Sequence, residues 1–545
     1  MLTHSAGYST TEIMTWSALA GFAAHAVFRV REPRIVPLLA VLSTSFLGLF
    51  TTCLLDTRSM LRSFLLTSTA LASFATSLYA SMIGYRVFFS PLQHFPGPTL
   101  AAVSKFWYLY HSTKGRMPQV MRDLNIQYGN IVRIGPNELT IFSLDAMDAI
   151  LSSKGKMTKG PWFDSVFANK GGNSVHALKV PGPHSQRRKY WDKAMTSAAM
   201  KEYLVFIKDC HNRLRDRIHN EYAEQPVQDI RRIMNHLVFD IMGEVGFAQS
   251  FGMIDNGKDH SYVLFVEKAM HALSVVAEIP WVIPILELLP IGKDQVEIEA
   301  LSMAATLKRF EQGQSRPDLF SYFVQEDGQL HPDMTMKDLD AEVRAIIIAG
   351  SDTSSSMLTF IFDYLIQYPV WAKRLREEVD THHRGHGDFD LEEMPILHAI
   401  VNETLRLRPP VPGRSQRIVP DVGVTICGQY IPAGTLVGIP QGLMMRDERY
   451  FSPSPEMWRP ERWLKPDEEE IFNRAAFIPF SFGPFNCSGK NLGLLMVRYS
   501  LARLMLEFEI TGSPQHDPVE FDKSIKEFFT LQKGPVWVVM KPRET

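Results

Sequence analysis

The chain has 545 residues, of which 45% are hydrophobic and 21% are charged, and its formal net charge is −2. This composition is ordinary for a globular protein and lacks the basic surplus that nucleic-acid binding requires, so no nucleic-acid partner is predicted. The four cysteines, Cys53, Cys210, Cys427 and Cys487, are widely spaced and form no CxxC pair. A disulfide framework or a structural zinc site is therefore improbable, and a reducing compartment fits best.

Uncharged apolar stretches dominate the N-terminus. Residues 35–55 and 63–85 each exceed the roughly 20 residues needed to cross a bilayer core, and residues 13–28 form a shorter third candidate. A cleaved signal peptide has one short apolar region, whereas this pattern is longer and repeated. The sequence therefore predicts a membrane anchor over residues 1–90 that contacts lipid through two or three transmembrane helices.

The positions of the arginines indicate an orientation for this anchor. The link RVREPR carries three arginines, and Arg86 follows the last apolar stretch. Three spans would place both on the cytosolic side of the membrane. Residues 91–98, PLQHFPGP, are predicted to be a stiff Pro-rich hinge. Beyond it no uncharged stretch approaches the length of a span, so residues 99–545 are expected to form one tethered soluble body.

Helical periodicity dominates this body. Residues 336–368 are predicted to form one very long helix, and Pro369 is expected to open the next helix. Strand-like runs are fewer and occur near residues 131–143, 423–440 and 528–541. The expected fold class is mainly α with small β-sheets.

Four motifs follow one another along the body. They are AGSDTS at 349–354, ETLR at 403–406, RPERW at 459–463 and FSFGPFNCSG at 480–489. Their order and separations resemble the cytochrome P-450 family of haem-thiolate monooxygenases over roughly residues 90–545. The resemblance implies a cytochrome P-450 fold preceded by the N-terminal transmembrane helices. The multi-span anchor and the sequence GPFNCSGKNLGLL resemble those of fungal family members that act in secondary metabolism.

The resemblance assigns a role to the lone cysteine of the last motif. It implies that the Cys487 thiolate is the metal ligand, bound axially to the iron of haem b. Gly483 and Gly489 are expected to let the backbone turn tightly around the sulfur, and Phe480 is expected to lie against the haem. A helix beginning after Gly489 would direct its N-terminal dipole toward the thiolate and favour the anion.

The sequence departs from the family pattern beside this cysteine. The family commonly has an arginine two residues before the cysteine, where it bonds a haem propionate, and this chain has Phe485. Other cations must then hold the propionates. His184 and Arg188 resemble the WxxxR pair of the family and share one helix face. Arg414 follows the ETLR helix, where the family often has a propionate donor.

The long helix is expected to supply the catalytic residues. By resemblance, the Thr353 hydroxyl lies near the site of oxygen activation, and Asp352 relays protons toward it through water. Ala349 and Gly350 precede this pair and leave space in the helix groove.

The ETLR motif is expected to be architectural. Glu403 and Arg406 are one helical turn apart, and the family pattern completes them with the arginine of PERx, here Arg462. A buried cluster of this kind is costly unless every partner is satisfied. Its predicted role is to fix the cysteine loop against the core, away from substrate.

The substrate pocket is inferred only by analogy with the family. The positions that match it are all apolar, which predicts a hydrophobic small molecule. They are Trp162, Phe163, Ile346, Ala349, Val411, Pro412 and Phe528.

The function implied by the resemblance is hydroxylation or epoxidation of such a molecule with O₂. No flavin or nicotinamide fingerprint is present, so electrons from NADPH are expected to arrive through a separate NADPH-cytochrome P-450 reductase, with cytochrome b5 as a further candidate partner. The expected location is the endoplasmic reticulum membrane, with the catalytic domain in the cytosol. Two alternatives remain: a haem-thiolate isomerase or dehydratase that does not use O₂, and a non-catalytic membrane haem protein. The intact Asp352 and Thr353 pair argues against both.

Overall fold

A computed structural model describes residues 9–165, 168–169, 172–286, 293–314, 316–465 and 469–543. The chain divides into two compact units. The first comprises Met1–Trp107, Arg133–Asn137 and Ile279–Ile291, and the second comprises Tyr108–Val132, Glu138–Glu278 and Gly292–Thr545.

Three long helices form the N-terminal part of the first unit. Each predicted apolar stretch is helical, with bounds Thr10–Phe28, Ile35–Thr57 and Met60–Gly84. The first and third helices approach so closely at Gly21 that a Cβ there would overlap the Ser77 hydroxyl. Small residues at such a contact let two helix backbones pack side by side.

Only part of the anchor has the composition of a membrane span. Two continuous helices among the described residues are long and apolar enough to cross a membrane, Ile35–Thr57 and Met336–Gln367. The apolar window of the second is 83% buried, so this helix belongs to the protein core. An N-terminal helix that could cross a membrane is thus present. The two flanking spans predicted at 13–28 and 63–85 are helical but remain predictions as spans.

The Pro-rich segment at 91–98 is packed within the first unit. The Arg133 backbone N–H donates to the Pro96 carbonyl at 2.7 Å, and a Cβ at Gly97 would overlap the Arg133 carbonyl oxygen. The remaining helices of this unit are short. They are Tyr85–Phe89, which is a π-helix, Thr99–Val103, the 3₁₀ turn Pro280–Val282, and Ile283–Leu286.

The second unit is mainly helical, as expected. Its helices begin with Phe106–Ser112, which straddles the unit boundary, and they continue as Met117–Tyr128, Met147–Leu151, Pro181–Ala194, Ser197–Glu221, Ile230–Phe247, Met253–Asn256, Ser261–Val276, Lys293–Glu311, Met336–Gln367, Pro369–His382, Pro395–Leu407, Gln441–Met444, Glu461–Leu464, Lys490–Glu507 and Pro518–Ser524.

The strands are short and lie in the three predicted regions and between them. They are Ile131–Gly135, Glu138–Ile141, Thr158–Lys159, Ala168–Asn169, Gly172–Asn173, Val227–Asp229, Arg417–Ile418, Val424–Ile426, Gln429–Ile431, Leu436–Gly438, Phe451–Ser452, Ile471–Phe472, Phe508–Gly512, Lys526–Phe528, Thr530–Gln532 and Trp537–Pro542.

One sheet positions residues of the site described below. Leu436–Gly438 pairs in parallel with Glu138–Ile141 and antiparallel with Arg417–Ile418. Arg417–Ile418 pairs in turn with Thr158–Lys159, and the register places Lys159 directly opposite Arg417. A lysine and an arginine are thus directly opposite each other on adjacent strands.

The long helix Met336–Gln367 lies in the core of the second unit. Thr335 begins it with a capping box, in which its hydroxyl accepts from the Asp338 N–H and the Asp338 carboxylate accepts from the Thr335 N–H. Nearly every residue from Leu339 to Leu365 is buried, and the helix packs against Ile230–Phe247. This burial makes the predicted catalytic segment a rigid part of the core.

Candidate functional site

The second unit contains a cavity of about 360 Å³. Its wall combines residues from the cysteine loop, which we define as residues 479–489, with residues from the long helix. The helix Pro181–Ala194 and the hairpin formed by Lys526–Phe528 and Thr530–Gln532 complete it. Of the predicted cofactor and catalytic residues, those lining the cavity are His184, Arg188, Thr353, Arg414, Phe480, Cys487 and Gly489.

The cysteine loop turns at Gly483. This residue has φ +76°, a conformation that favours glycine, and a Cβ here would overlap the Leu151 carbonyl oxygen. The Cys487 N–H closes the loop by donating to the Phe480 carbonyl at 2.9 Å. Gly489 differs from the expectation, because its φ is −85° and no protein atom would lie within 4 Å of a Cβ there. Gly483 alone meets the steric requirement.

The Cys487 side chain faces the cavity, but protein atoms surround its sulfur. The residue is exposed and lines the cavity, while surrounding protein atoms desolvate the thiol. This desolvation raises the pKa of Cys487, and the Gly489 N–H, Arg188 and Lys490 oppose the rise by favouring the thiolate. The helix that follows begins at Lys490, as expected.

The two predicted catalytic residues face different environments. Thr353 lines the cavity, and its hydroxyl donates to the Ala349 carbonyl at 2.6 Å. Asp352 is buried, is not part of the cavity wall, and has no hydrogen-bond partner for its Oδ2 among the described residues. One turn further along the same helix, Ser356 accepts a hydrogen bond from the Lys533 ammonium at 2.5 Å. Burial lowers the Lys533 pKa, and Asp352 opposes that change.

Phe485 occupies the position of the arginine common in the family, and cations surround its ring. Lys159 Nζ lies 4.9 Å from the ring centroid and Arg417 Cζ lies 5.1 Å from it. The His184 ring meets the Phe485 ring edge-on, at 4.6 Å between centroids. We call Lys159, Arg188 and Arg417 the cation group; all three line the cavity.

Two members of the cation group, Lys159 and Arg417, lack a carboxylate partner, whereas Arg188 is paired with Asp192. No ion pair joins Lys159 or Arg417 to a carboxylate in the part of the chain that the structure describes. Burial and the repulsion from Arg417 lower the Lys159 pKa to about 7, and burial lowers the Arg417 pKa to about 10. Burial, Lys159 and Arg188 lower the His184 pKa to about 3, so His184 is a neutral imidazole. An anion is the missing partner of this group.

The two arginines predicted from the sequence differ in their partners. Arg188 Nη1 donates to the Asn486 carbonyl at 2.8 Å, which ties its helix to the cysteine loop, and Arg188 Nε contacts Asp192 at 2.7 Å. Arg414 forms ion pairs with Glu138 at 2.5 Å and Glu278 at 3.6 Å. Protein carboxylates thus already compensate Arg414, and these contacts do not support its expected role beside a propionate. Sequence reasoning missed Lys159 and Arg417.

The buried cluster at Glu403 has all three expected members. Arg406 binds the carboxylate through two bonds of 2.8 Å, and Arg462 Nε approaches it at 3.2 Å. The Trp463 indole N–H and the Arg459 backbone N–H add bonds of 2.9 Å each. All of these side-chain groups except Trp463 and Arg459 are fully enclosed, and none lines the cavity.

The apolar wall of the cavity agrees in part with the predicted pocket. Trp162, Phe163, Ile346, Ala349 and Val411 line it. Two further predicted positions do not, since Pro412 lines a second cavity and Phe528 packs against His271 at 4.3 Å between ring centroids. The neighbouring Phe529 lines the cavity instead of Phe528. It lies at the turn of the hairpin with φ +67°, and its ring is 5.0 Å from that of Trp162.

Comparison with known proteins identifies the family. The family model described as Cytochrome P450 matches residues 96–539. The chain belongs to the cytochrome P450 family. This P450 resembles Cytochrome P450 67 of Uromyces fabae, with 32% identity over 84% of this chain and 88% of that protein.

Two further relatives are named for their activities. Cytochrome P450 monooxygenase FCK2 of Fusarium pseudograminearum is 30% identical over 86% of this P450 and 85% of that protein. Tryprostatin B 6-hydroxylase of Aspergillus fumigatus is 28% identical over 87% of this P450 and 85% of that protein. The chain is thus an enzyme of the P450 monooxygenase class, and its relatives include a fungal monooxygenase and a fungal hydroxylase.

The residues of the cavity fit a haem. A haem requires an axial ligand and counter-ions for two propionates. The exposed Cys487 thiol is suited to be the first, and Lys159 and Arg417, which have no carboxylate partner among the described residues, are suited to be the second in the same cavity. Gly489 also lines the cavity, and a Cβ there would meet no protein atom within 4 Å, so open space adjoins the cysteine loop.

Proposed function

We propose that this P450 hydroxylates or epoxidises a hydrophobic small molecule of fungal secondary metabolism. Electrons from NADPH would reach it through a separate reductase, with the enzyme attached to the endoplasmic reticulum membrane and its catalytic unit in the cytosol. The observation that carries the proposal is that Cys487, Thr353 and the cation group line one largely apolar cavity.

The cofactor-binding residues act by position and charge. Cys487 would bind the iron of haem b, and haem when bound supplies the activation of O₂. Lys159 and Arg417 would bind a propionate as charge-assisted donors. Arg188 would position the cysteine loop through the Asn486 carbonyl and contribute positive charge beside the same cavity. The aromatic face of Phe485 would hold both cations of the strand pair in place.

The catalytic residues of the long helix would transfer protons. Thr353 presents its hydroxyl at the cavity wall, and the free oxygen of Asp352 lies buried behind it. A water reached by both would carry a proton from Asp352 to the cavity, where the reduction of one oxygen atom to water consumes two protons. The buried Glu403 cluster would keep the cysteine loop fixed without touching substrate.

Cys487→Ser tests the assignment most directly. The parent, reduced and exposed to carbon monoxide, is expected to show the red-shifted Soret band of a thiolate-ligated haem, and the variant is expected to lose it. Cys427→Ser is the matched control, since Cys427 is also exposed but lies outside the cavity. A thiolate-type band that persists in Cys487→Ser would overturn the proposal.

A further inference from the structure

The cavity contains a second set of charged side chains, separate from the cation group. Glu278, Arg414 and Glu527 line it together, and Glu138 lies behind Arg414. Unlike the cation group, this set is rich in carboxylates. It is also adjacent to Val411 and Phe529, at the apolar part of the wall where a substrate would lie.

The single cation of this set is already engaged. Arg414 Nη1 contacts Glu138 at 2.5 Å, and the same Glu138 oxygen accepts a hydrogen bond from Gln416 at 2.8 Å. Arg414 Nη2 contacts Glu278 at the longer distance of 3.6 Å, and the Arg414 guanidinium lies 4.9 Å from the Tyr108 ring. One positive charge is therefore shared between two carboxylates before Glu527 is considered.

Glu527 is the carboxylate of this set without a direct ion pair. No hydrogen bond or ion pair to its side chain occurs among the described residues, and the half-buried side chain opens on the cavity. Its Oε1 lies over Gly413, where a Cβ would be only 2.8 Å away, so the glycine leaves room for the carboxylate. Burial and the nearby Glu278 raise the Glu527 pKa to about 7, and the attraction of Arg414 opposes only part of this rise.

We propose that Glu527, with Glu278, binds a positively charged nitrogen of the substrate. The inference rests on the proposed function, because it names the substrate class of the same cavity: a hydrophobic molecule that carries a basic amine. The rings of Trp162 and Phe529, 5.0 Å apart, line the same cavity as the carboxylates and provide an aromatic surface that suits such a cation. A cation at this place would give Glu527 the ion pair that no described residue supplies.

A pair of isosteric probes separates charge from hydrophobicity. The first probe is 4-phenylbutyl-trimethylammonium, which cannot ligate iron because its nitrogen has no lone pair. The second replaces the trimethylammonium group with tert-butyl, which has nearly the same shape and no charge. Binding to the haem-loaded full chain is measured by equilibrium dialysis and by the change in the haem spin state. The cationic probe is expected to bind the parent more tightly than the neutral probe.

Substitution of the carboxylate should remove this preference. Glu527→Gln is expected to weaken binding of the cationic probe by about tenfold or more while leaving the neutral probe within about twofold, because only the charged contact is lost. Glu278→Gln provides a second variant in case the first folds poorly. Glu509→Gln, an exposed glutamate outside the cavity, is the matched control.

The outcomes are distinct. Equal affinities of the two probes for the parent, or a Glu527→Gln effect of the same size on both probes, would overturn the amine assignment. Failure of the haem-thiolate assignment would be seen separately, as a missing carbon monoxide band in the parent. Dialysis would still report the charge preference in that case, since it does not depend on the haem signal.

Discussion

Lys159→Met is expected to stabilise the haem-free protein and to weaken haem retention in the haem-loaded protein. Lys159 is 4% exposed and faces Arg417 across the strand pair, and like charges directly opposite each other destabilise such a pair. Methionine has a similar length and no charge, so the substitution removes the repulsion and keeps most of the packing. Without haem, the variant should therefore be more stable than the parent.

The pKa of Lys159 sets the size of this effect. The difference between its usual 10.5 and about 7, at about 1.4 kcal/mol for each pKa unit, corresponds to about 5 kcal/mol of destabilisation by the buried charge. The unfolded chain keeps this lysine protonated up to about pH 10.5, whereas the folded chain releases the proton near pH 7. The free energy of unfolding of the haem-free parent should thus rise between these pH values, and the variant should lack this part of the rise.

In the haem-loaded protein the substitution is expected to be unfavourable, because a propionate would supply the anion that Lys159 otherwise lacks. Loss of one charge-assisted hydrogen bond costs about 1.5–3 kcal/mol, which corresponds to haem loss about tenfold faster or more. Haem transfer to apomyoglobin, followed by absorbance, measures the loss, and circular dichroism on heating measures the stability of the haem-free protein.

The exposed Lys541→Met is the control for both measurements. If the haem-free variant melts at the same temperature as the haem-free parent, and the haem-loaded variant transfers its haem at the parental rate, Lys159 is not a partner of the haem.

Three other substitutions test separate parts of the site. Thr353→Ala should retain haem and still consume NADPH, but release more peroxide and less product, since losing a positioned proton-transfer group costs about 10²–10⁴-fold in rate; unchanged coupling of NADPH to product would exclude its role. Glu403→Gln should lower the stability of the haem-loaded protein by about 3–5 kcal/mol, measured by thermal unfolding, because two buried arginines lose their shared carboxylate. Gly483→Ala should destabilise the haem-free protein by about 1–3 kcal/mol through its positive φ, and Gly489→Ala, which meets no protein atom, should not; equal effects of the two would contradict the steric argument.

The helices and the local motifs could be predicted from the sequence because their signals are local. The anchor helix Ile35–Thr57 and the long helix Met336–Gln367 follow from uninterrupted apolar composition and periodicity, and both agree with the predicted bounds to within two residues. The Glu403 cluster follows from a spacing of one helical turn plus a family motif. The two helices and the Glu403–Arg406 pair follow from neighbouring residues along the chain, whereas Arg462 follows only from the family resemblance.

The counter-ions of the site could not be predicted in the same way. Lys159 and Arg417 are 258 positions apart and meet through the register of two-residue strands, for which the sequence offers no periodicity. The ion pairs of Arg414 could not be predicted for the same reason, since Glu138 and Glu278 come from distant segments. The exchange of Phe528 for Phe529 depends on one backbone angle at the hairpin turn.

The long helix Met336–Gln367 has a consequence for the synthesis of this membrane-bound enzyme. It is apolar enough to qualify as a span, yet its place is the core of the second unit. A ribosome already docked at the membrane by Ile35–Thr57 would deliver this segment beside the insertion machinery. The buried polar run from Ser351 to Ser356, with Asp352 in it, raises the cost of placing the segment in lipid. We expect this polar run, two members of which line the cavity, to keep the helix out of the bilayer while the chain is being made.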